Sequence, residues 1–359
     1  HPVVRDYDLL GRTTWVGPDG TGLRRAMRAA ITAIGHPGAA HFTWRSRRSA
    51  GDSLRTHRNL FAHARLGSDR SFDAIHCHFA PNGVTAVLLR RAGMVSGPIV
   101  TTYHGYDMRH GAPSEGEIYA PLRDEGDLHL SISSYNAGLL RDWGFPDDRI
   151  VSHRVGIAVA DFPFRPPRVE RAGEIRLVTV ANLVPVKGLD LLVDAVAAAC
   201  NDVTGLSLRV IGEGSERAAL TERIRSRGLQ DAVELIGGRS RPEVIEELGR
   251  ADVFVLPSRA EATPVALMEA QACGLPVIAT DVGAVDEVIV PEGSGVLVPP
   301  GDAGRLSFEI ARIARTPETW EEMGRTGRRH VEATFDLPRL ITQLEEIYGR
   351  VAFTNSRRA

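Results

Sequence analysis

Two glutamates with seven residues between them, Glu261 and Glu269, stand in the stretch SRAEATPVALMEAQACGLPVIAT, residues 258–280. Glu261 follows the apolar run DVFVLP, and a helix is expected to begin near Pro264, a residue favoured in a first helical turn. Glu269 then lies about one turn inside that helix, so both carboxylates can reach one ligand at its mouth. The backbone of Thr263, Pro264 and Val265 falls where a helix N-terminus would meet phosphate or sugar oxygens. Ala266, Leu267, Met268 and Ala270 leave Glu269 little exposed face, and a buried carboxylate without a partner is costly. A ligand hydroxyl is the expected partner; a solvated helix residue is the alternative.

VPVKG, residues 184–188, holds the only lysine in the chain, the other 42 basic residues being arginine. The flanking pattern reads strand, loop, helix, with Lys187 near the helix N-terminus, where free N–H groups and the positive dipole end favour a phosphate. A compact ammonium on a thin stem suits that place better than a planar fork. Chance placement in an arginine-rich chain is the alternative.

Two weaker signals accompany these. In TTYHGYD, residues 101–107, His104 ends a strand and is followed by a flexible Gly105 and by Asp107, with His76 and His78 expected at the neighbouring strand end. A zinc site would need further ligands at suitable spacing, and none is found; a packed core histidine is the ordinary alternative. In VIGEGSER a strand ends in Gly212-x-Gly214, but the third glycine of a dinucleotide fingerprint is replaced by Arg217, which argues against an NAD site. A tight strand-to-helix turn explains that pair equally well.

The elements that must carry these residues alternate. Strands are expected at 72–79, 98–104, 127–133 and 149–155, with helices at 83–92, 115–124 and 134–143. FPFRPPRVERAGE, 162–174, then breaks the pattern and reads as a linker. Strands resume at 175–181, 206–212, 232–237, 252–257, 276–280 and 295–300, separated by helices at 188–200, 215–227, 242–249 and 264–273. Three helices follow, at 302–315, 317–333 and 336–350. This is the pattern of two α/β domains, each a doubly wound parallel sheet, with ligands in a cleft at the carboxyl ends of the strands.

Composition narrows the function. With 43 basic and 45 acidic residues the net charge is −2, which does not suggest a nucleic-acid partner. Residues 1–70 carry 12 Arg and 5 Asp with no Glu, a local charge of +7, and their clusters RRAMR and RSRR could rest on an anionic membrane surface or meet a phosphorylated substrate. Three widely spaced cysteines suit a reducing compartment. No apolar run approaches the roughly 20 residues needed to cross a bilayer, so a cytoplasmic protein is expected, with membrane contact at most peripheral.

Taken in order, the histidine loop, the strand–loop–Lys-Gly, the G-x-G turn and the E-x7-E pair before GLPV resemble family 4 retaining glycosyltransferases of the GT-B fold. HFAPNGVTAVLLRRAG followed by TTYHGYD further resembles the subgroup that builds bacterial exopolysaccharides of the colanic acid and amylovoran type. The resemblance implies an N-terminal acceptor domain (1–163), a nucleotide-sugar-binding domain (164–335) and a terminal helix (336–359) that crosses back. It implies that Lys187 holds the donor diphosphate, that Glu261 contacts the donor sugar with help from backbone N–H groups of Ala262 to Val265, and that Glu269 binds ribose hydroxyls. Gly212 and Gly214 would let the chain approach the nucleotide, with Gly238 and Arg239 near the base. His104 would sit beside the reacting carbon, and the acceptor would lie near His78, Gly105 and Asp107. The implied partners are a UDP- or GDP-sugar and a saccharide or lipid-linked saccharide at the inner membrane face, with no metal cofactor. The only D-x-D, Asp6-Tyr7-Asp8, is poorly placed to hold one.

Two departures qualify this. The family's usual Arg partner of the lysine is Asn182 here, leaving Lys187 with more of the phosphate charge unless Arg239 or Arg259 turns in. The opening RDYDLLGRTTWV looks like a segment that normally follows the family's first strand, so a strand–helix unit is expected to be absent. A non-catalytic sugar-nucleotide-binding or scaffold protein is the alternative that this absence raises.

Overall fold

Two parallel sheets organise the chain. The computed structural model describes residues 71–166, apart from 92 and 94, and 174–356. The basic clusters, the D-x-D and the segment bearing on an absent first strand lie outside the described residues.

The first sheet contains β1 (Ile75–His78), β2 (Ile99–Tyr103), β3 (Leu128–Ser131) and β4 (Ile150–Ser152), in that order and all parallel. All five residues of β2 are buried, as expected for a strand covered by helices on both faces. The helices are α1 (Ala80–Arg91), α2 (Gly105–Gly111), α3 (Ala120–Glu125) and α4 (Ser134–Asp142). The helix expected at 115–124 is shorter, a 3-10 turn at Glu117–Tyr119 leading into α3. The loop expected after His104 is instead the first turn of α2. Its sequence, GYDMRHG, has no amphipathic period to announce it. The turn is held by the Asp107 carboxylate, which accepts the His104 N–H at 2.6 Å.

The second sheet contains β5 (Ile175–Val180), β6 (Leu206–Ile211), β7 (Val233–Gly237), β8 (Val253–Leu256), β9 (Val277–Thr280) and β10 (Gly295–Val298). Its spatial order is β10-β9-β8-β5-β6-β7, all pairs parallel. The helices are α5 (Leu189–Ala199), α6 (Arg217–Ser226), α7 (Arg241–Arg250), α8 (Val265–Cys273), α9 (Ala303–Ala314) and α10 (Trp320–Phe335). Apolar clusters cover both faces: Leu192, Val196 and Ile310 on one side, Phe254, Leu267 and Phe335 on the other. The order reverses between β5 and β8. Loops leaving the carboxyl ends of these two strands diverge to opposite faces, and the crevice between them is where this fold binds ligands.

The last helix, α11 (Leu337–Ser356), returns to the first sheet, packing Ile347 on Val100 and Leu130. Burying one such side chain stabilises the docking by about 1.5–3 kcal/mol. At the crossing, Ile157 N–H donates to Phe335 O at 2.9 Å and Leu337 N–H to Ile157 O at 2.8 Å. The described start of the linker is tied to the second domain, with Phe162 buried and the Arg165 N–H donating to Cys273 O at 2.8 Å.

Candidate active site

Lys187 follows β5 and Glu261 follows β8, so the sheet order alone brings them to the two sides of the crevice. Lys187 Nζ lies 2.6 Å from Glu261 Oε1, and Ser258 Oγ donates to the same oxygen at 2.6 Å. The contact depends on a close chain approach. Lys187 ends a 3-10 turn, Pro185–Lys187, and Gly188 follows at φ +63°, where a Cβ would stand 2.1 Å from Pro257 O. The Arg259 N–H also donates to Val186 O at 2.8 Å. Only 23% of the Lys187 side chain and 9% of Glu261's are exposed, so the pair is partly desolvated. Among the described residues only Oε1 of Glu261 is engaged, which leaves Oε2 for another donor.

The pair forms part of the wall of a cavity of about 530 Å³, a size suited to a small molecule. Val180, Ile211, Val244 and Leu256 supply apolar lining, and Asn182, Gly212, Glu213, Gly238 and Arg239 line it as well. A larger cavity of about 670 Å³ lies at the amino ends of β2 and β3 against α11, away from the crevice.

Thr263, Pro264 and Val265 bring the N-terminus of α8 to the same cavity. The first-turn N–H groups of a helix have no intrahelical acceptors. Pro264 stands at the N-cap and has no N–H, so the expected row of donors from Ala262 to Val265 is interrupted there. Thr263 Oγ1 is buried and has no hydrogen-bond partner among the described residues. Glu269, just over one turn into α8, shares a helix face with cavity-lining Val265 and Ala266 without itself lining the cavity. Burial pushes its carboxyl above the usual range against a smaller opposing pull from Arg241, and it has no hydrogen bond or ion pair among the described residues.

The glycines answer to neighbouring chain as much as to a ligand. Gly212, at φ +144°, lines the cavity, yet a Cβ there would stand 2.0 Å from Ala181 O. Gly214 is not among the lining residues; a Cβ there would stand 2.3 Å from Leu183 O, so packing between two loops by itself requires a glycine at that place. The structure also separates the two arginines expected to substitute for an absent partner of Lys187. Arg259 is held by Asp190 through two bonds of 2.7 and 2.8 Å and by Pro185 O at 2.7 Å, bracing the lysine loop. Arg239, on the cavity wall, forms no ion pair among the described residues and donates only to Gly238 O, at 3.1 Å.

Across the crevice, His104 precedes α2, its Nε2 3.2 Å from His78 Nδ1 and its ring stacked on His78's at 5.4 Å. Burial, then the neighbouring His78, holds His104 below the ordinary imidazole range; burial, then His153, does the same to His78. His76 is pushed down to about 4, chiefly by burial. Asp107 is fully buried, accepting N–H groups of Ala80 and His104 at 3.0 and 2.6 Å. It braces the turn beneath His104 and does not face the crevice as expected of an acceptor contact. Gly105 is a contact point rather than a flexible joint: a Cβ there would lie 2.4 Å from the Cβ of Ala262, so the His104 loop touches the Glu261 loop directly.

Ser258, Glu213, and the exposed rings of Phe79 and Tyr106 were not foreseen. Phe79, at φ +71°, stands 4.6 Å from the His104 ring. Ser258 was within reach of sequence reasoning, three residues before Glu261 in one loop; Phe79 stands between β1 and α1 and Tyr106 in the short α2, where no apolar period announces them. Among the described residues no three His, Cys, Asp or Glu side chains are grouped to hold a metal ion, and no helix is long and apolar enough to cross a membrane.

Comparisons with known proteins agree with this architecture. Residues 14–160 match the model for Glycosyltransferase Family 4, and residues 163–330 that for Glycosyl transferases group 1. WcaL of Escherichia coli K12, a glycosyltransferase assigned to colanic acid biosynthesis, is 32% identical over 333 residues, covering 88% of this chain and 80% of that protein. The amylovoran biosynthesis glycosyltransferase AmsK of Erwinia amylovora is 30% identical, covering 98% and 89%. Among solved structures, sucrose-phosphate synthase from Thermosynechococcus elongatus superposes with a TM-score of 0.69 at 25% identity, covering 78% of this chain and 73% of its own. HepE of Anabaena, solved with UDP, superposes at 0.68 with 17% identity, covering 78% and 79%.

Proposed function

The chain belongs to the family 4 glycosyltransferases, and on that premise we propose that it moves a sugar from a nucleotide diphosphate to a saccharide or lipid-linked saccharide, with retention of configuration and without a divalent cation. The product would enter a bacterial cell-surface polysaccharide, as the names of WcaL and AmsK suggest. The observation that carries the reading is the Lys187–Glu261 pair on the wall of the cavity at the strand-order reversal.

In this proposal Lys187 and the N-terminus of α8 neutralise the donor diphosphate, with Arg239 turning in as the second cation. Glu261, one oxygen committed to Lys187 and Ser258, offers the other to hydroxyls of the donor sugar. Glu269 receives the ribose once the nucleotide covers it, a partner that its raised carboxyl otherwise lacks. The bond from the anomeric carbon to the phosphate oxygen breaks while an acceptor oxygen bonds that carbon from the same face. The acceptor proton passes to the departing phosphate. Neutral His104 stands beside the reacting carbon, and the Phe79 ring offers an apolar face to the acceptor sugar. Attachment at the inner face of the cytoplasmic membrane would rest on the basic clusters of residues 1–70. No specific observation favours a non-catalytic role.

A thermal-shift screen against UDP, GDP and their sugars tests the donor. UDP comes first, since HepE shares the fold and was captured with it. Stabilisation by one of them is expected; stabilisation by none would sink the nucleotide-sugar reading.

A further inference from the structure

Glu287, in the loop after β9, reaches out of the second domain into the first. Its Oε1 accepts the N–H groups of Ser134 and Tyr135, at 2.6 and 3.3 Å, and its Oε2 accepts Arg154 at 2.9 Å. Ser134 and Tyr135 open α4, whose next N–H, that of Asn136, is capped by Ser133 Oγ at 3.1 Å. The carboxylate therefore completes a helix N-terminus belonging to the other domain, where a negative charge is favoured and the bonds are charge-assisted. Only 14% of the Glu287 side chain is exposed. Its own position is fixed from behind: His330 Nε2 bonds Glu287 O at 2.9 Å and Gln271 Nε2 donates to Val288 O at 2.8 Å.

Each end of this contact leads to the reaction centre. On the first-domain side, Asn136 Nδ2 lies 3.5 Å from the carbonyl oxygen of Tyr103, the residue before His104. On the second-domain side, Gly283, four residues before Glu287, sits at φ +61° with its Cα so near Glu261 that a Cβ would stand 1.8 Å from Glu261 O. One loop thus packs on the backbone of Glu261 at Gly283 and grips the acceptor-side domain at Glu287.

We infer that Glu287 is a positioning residue for glycosyl transfer, a clamp between the domains that sets the spacing of His104 and Glu261. The inference rests on the transferase reading, but the clamp is tested without it. Solution scattering of the full chain is compared for wild type, Glu287→Ala and Glu287→Gln, with UDP binding measured by calorimetry. Turnover is read as nucleotide release from whichever of UDP-glucose, UDP-galactose and GDP-mannose the wild type consumes.

Loss of the clamp should enlarge the radius of gyration and leave UDP affinity unchanged, because the cavity wall lies in the second domain. The kcat should fall on the order of 100-fold, the scale of a misplacement near 1 Å. Glu287→Gln, which keeps an oxygen for the α4 N–H groups but loses the Arg154 pair, should fall between wild type and Glu287→Ala. If Glu287→Ala does not fold, Arg154→Met breaks the clamp from the other side. A wild-type kcat in these variants would overturn the inference, as would unchanged scattering or a loss of UDP affinity in step with kcat. Should wild type not bind UDP, the donor reading would suffer, while the scattering would still decide the clamp.

Discussion

Gly105 and Ala262 meet across the cleft so closely that a single methyl group on Gly105 would fall 2.4 Å from the Ala262 side chain. The contact joins the residue after His104 to the residue after Glu261. The acceptor-side imidazole and the donor-side carboxylate thus stand on loops whose backbones touch, a contact made beside the one that Glu287 makes between the domains.

Gly105→Ala should push these loops apart. We expect kcat to fall roughly 10- to 100-fold with nucleotide affinity retained, since an error near 1 Å at a reaction centre has effects of that scale. The double variant Gly105→Ala/Ala262→Gly should recover part of the loss, and steady-state kinetics of the cycle would show it. Additive effects would mean that the two loops do not press on one another.

Lys187→Arg tests the sole lysine. The guanidinium fork is wider than the ammonium now held 2.6 Å from Glu261, and it cannot point one charge at a phosphate from the same place. UDP affinity should fall about tenfold or more, roughly 1.4 kcal/mol or above, by calorimetry. An unchanged affinity would show the lysine to be incidental.

Asp107→Asn replaces a buried acceptor of two backbone N–H groups with a side chain that has one acceptor and one donor end. One N–H, of Ala80 or His104, then faces an amide NH2. A stability loss of about 1–3 kcal/mol is expected, visible as a lowered thermal midpoint. A midpoint like wild type's would remove Asp107 as a brace.

Acid should act through the histidines. His76, His78 and His104 are all held below 6.5, so the unfolded chain takes up protons before the native one does. The stability of the neutral forms is fully present above pH 6.5 and is lost as pH falls from there toward about 4, where His76 titrates. Protonating both His78 and His104 also removes the bare nitrogen that their mutual bond requires. A transfer rate with an acid limb below pH 6.5, absent in His104→Ala, is the expected profile; a limb unaltered by that change would assign it to another group.

The two sheets were legible because buried parallel strands are short apolar runs, and VFVL, VIAT and IVTTY stand out against polar loops. Lys187 and Glu261 were legible for a related reason: each follows such a run directly, so its place at the crevice depends on strand order and little else. Helix α2 was hidden because it is held by one buried carboxylate and not by an amphipathic period. The packing of Gly214 and the tie that holds Arg259 were hidden because Leu183 O and Asp190, their neighbours in the fold, lie 31 and 69 residues away in the chain. Glu287 gave no sign at all; its partner Arg154 is 133 residues distant and in the other domain.

The return of α11 to the first sheet has a consequence for how the molecule can bend. The chain passes between the domains twice, and at the second passage Ile157 is bonded on both sides to the segment Phe335–Leu337. Two strands of chain tied side by side behave as a door hinge and not as a ball joint: the halves can swing open, but they resist twisting or sliding past one another. A protease cut in the 167–173 segment would leave the halves attached through α11, and the first domain produced without residues 337–356 would leave β2 and β3 without the cover that Ile347 gives Val100 and Leu130.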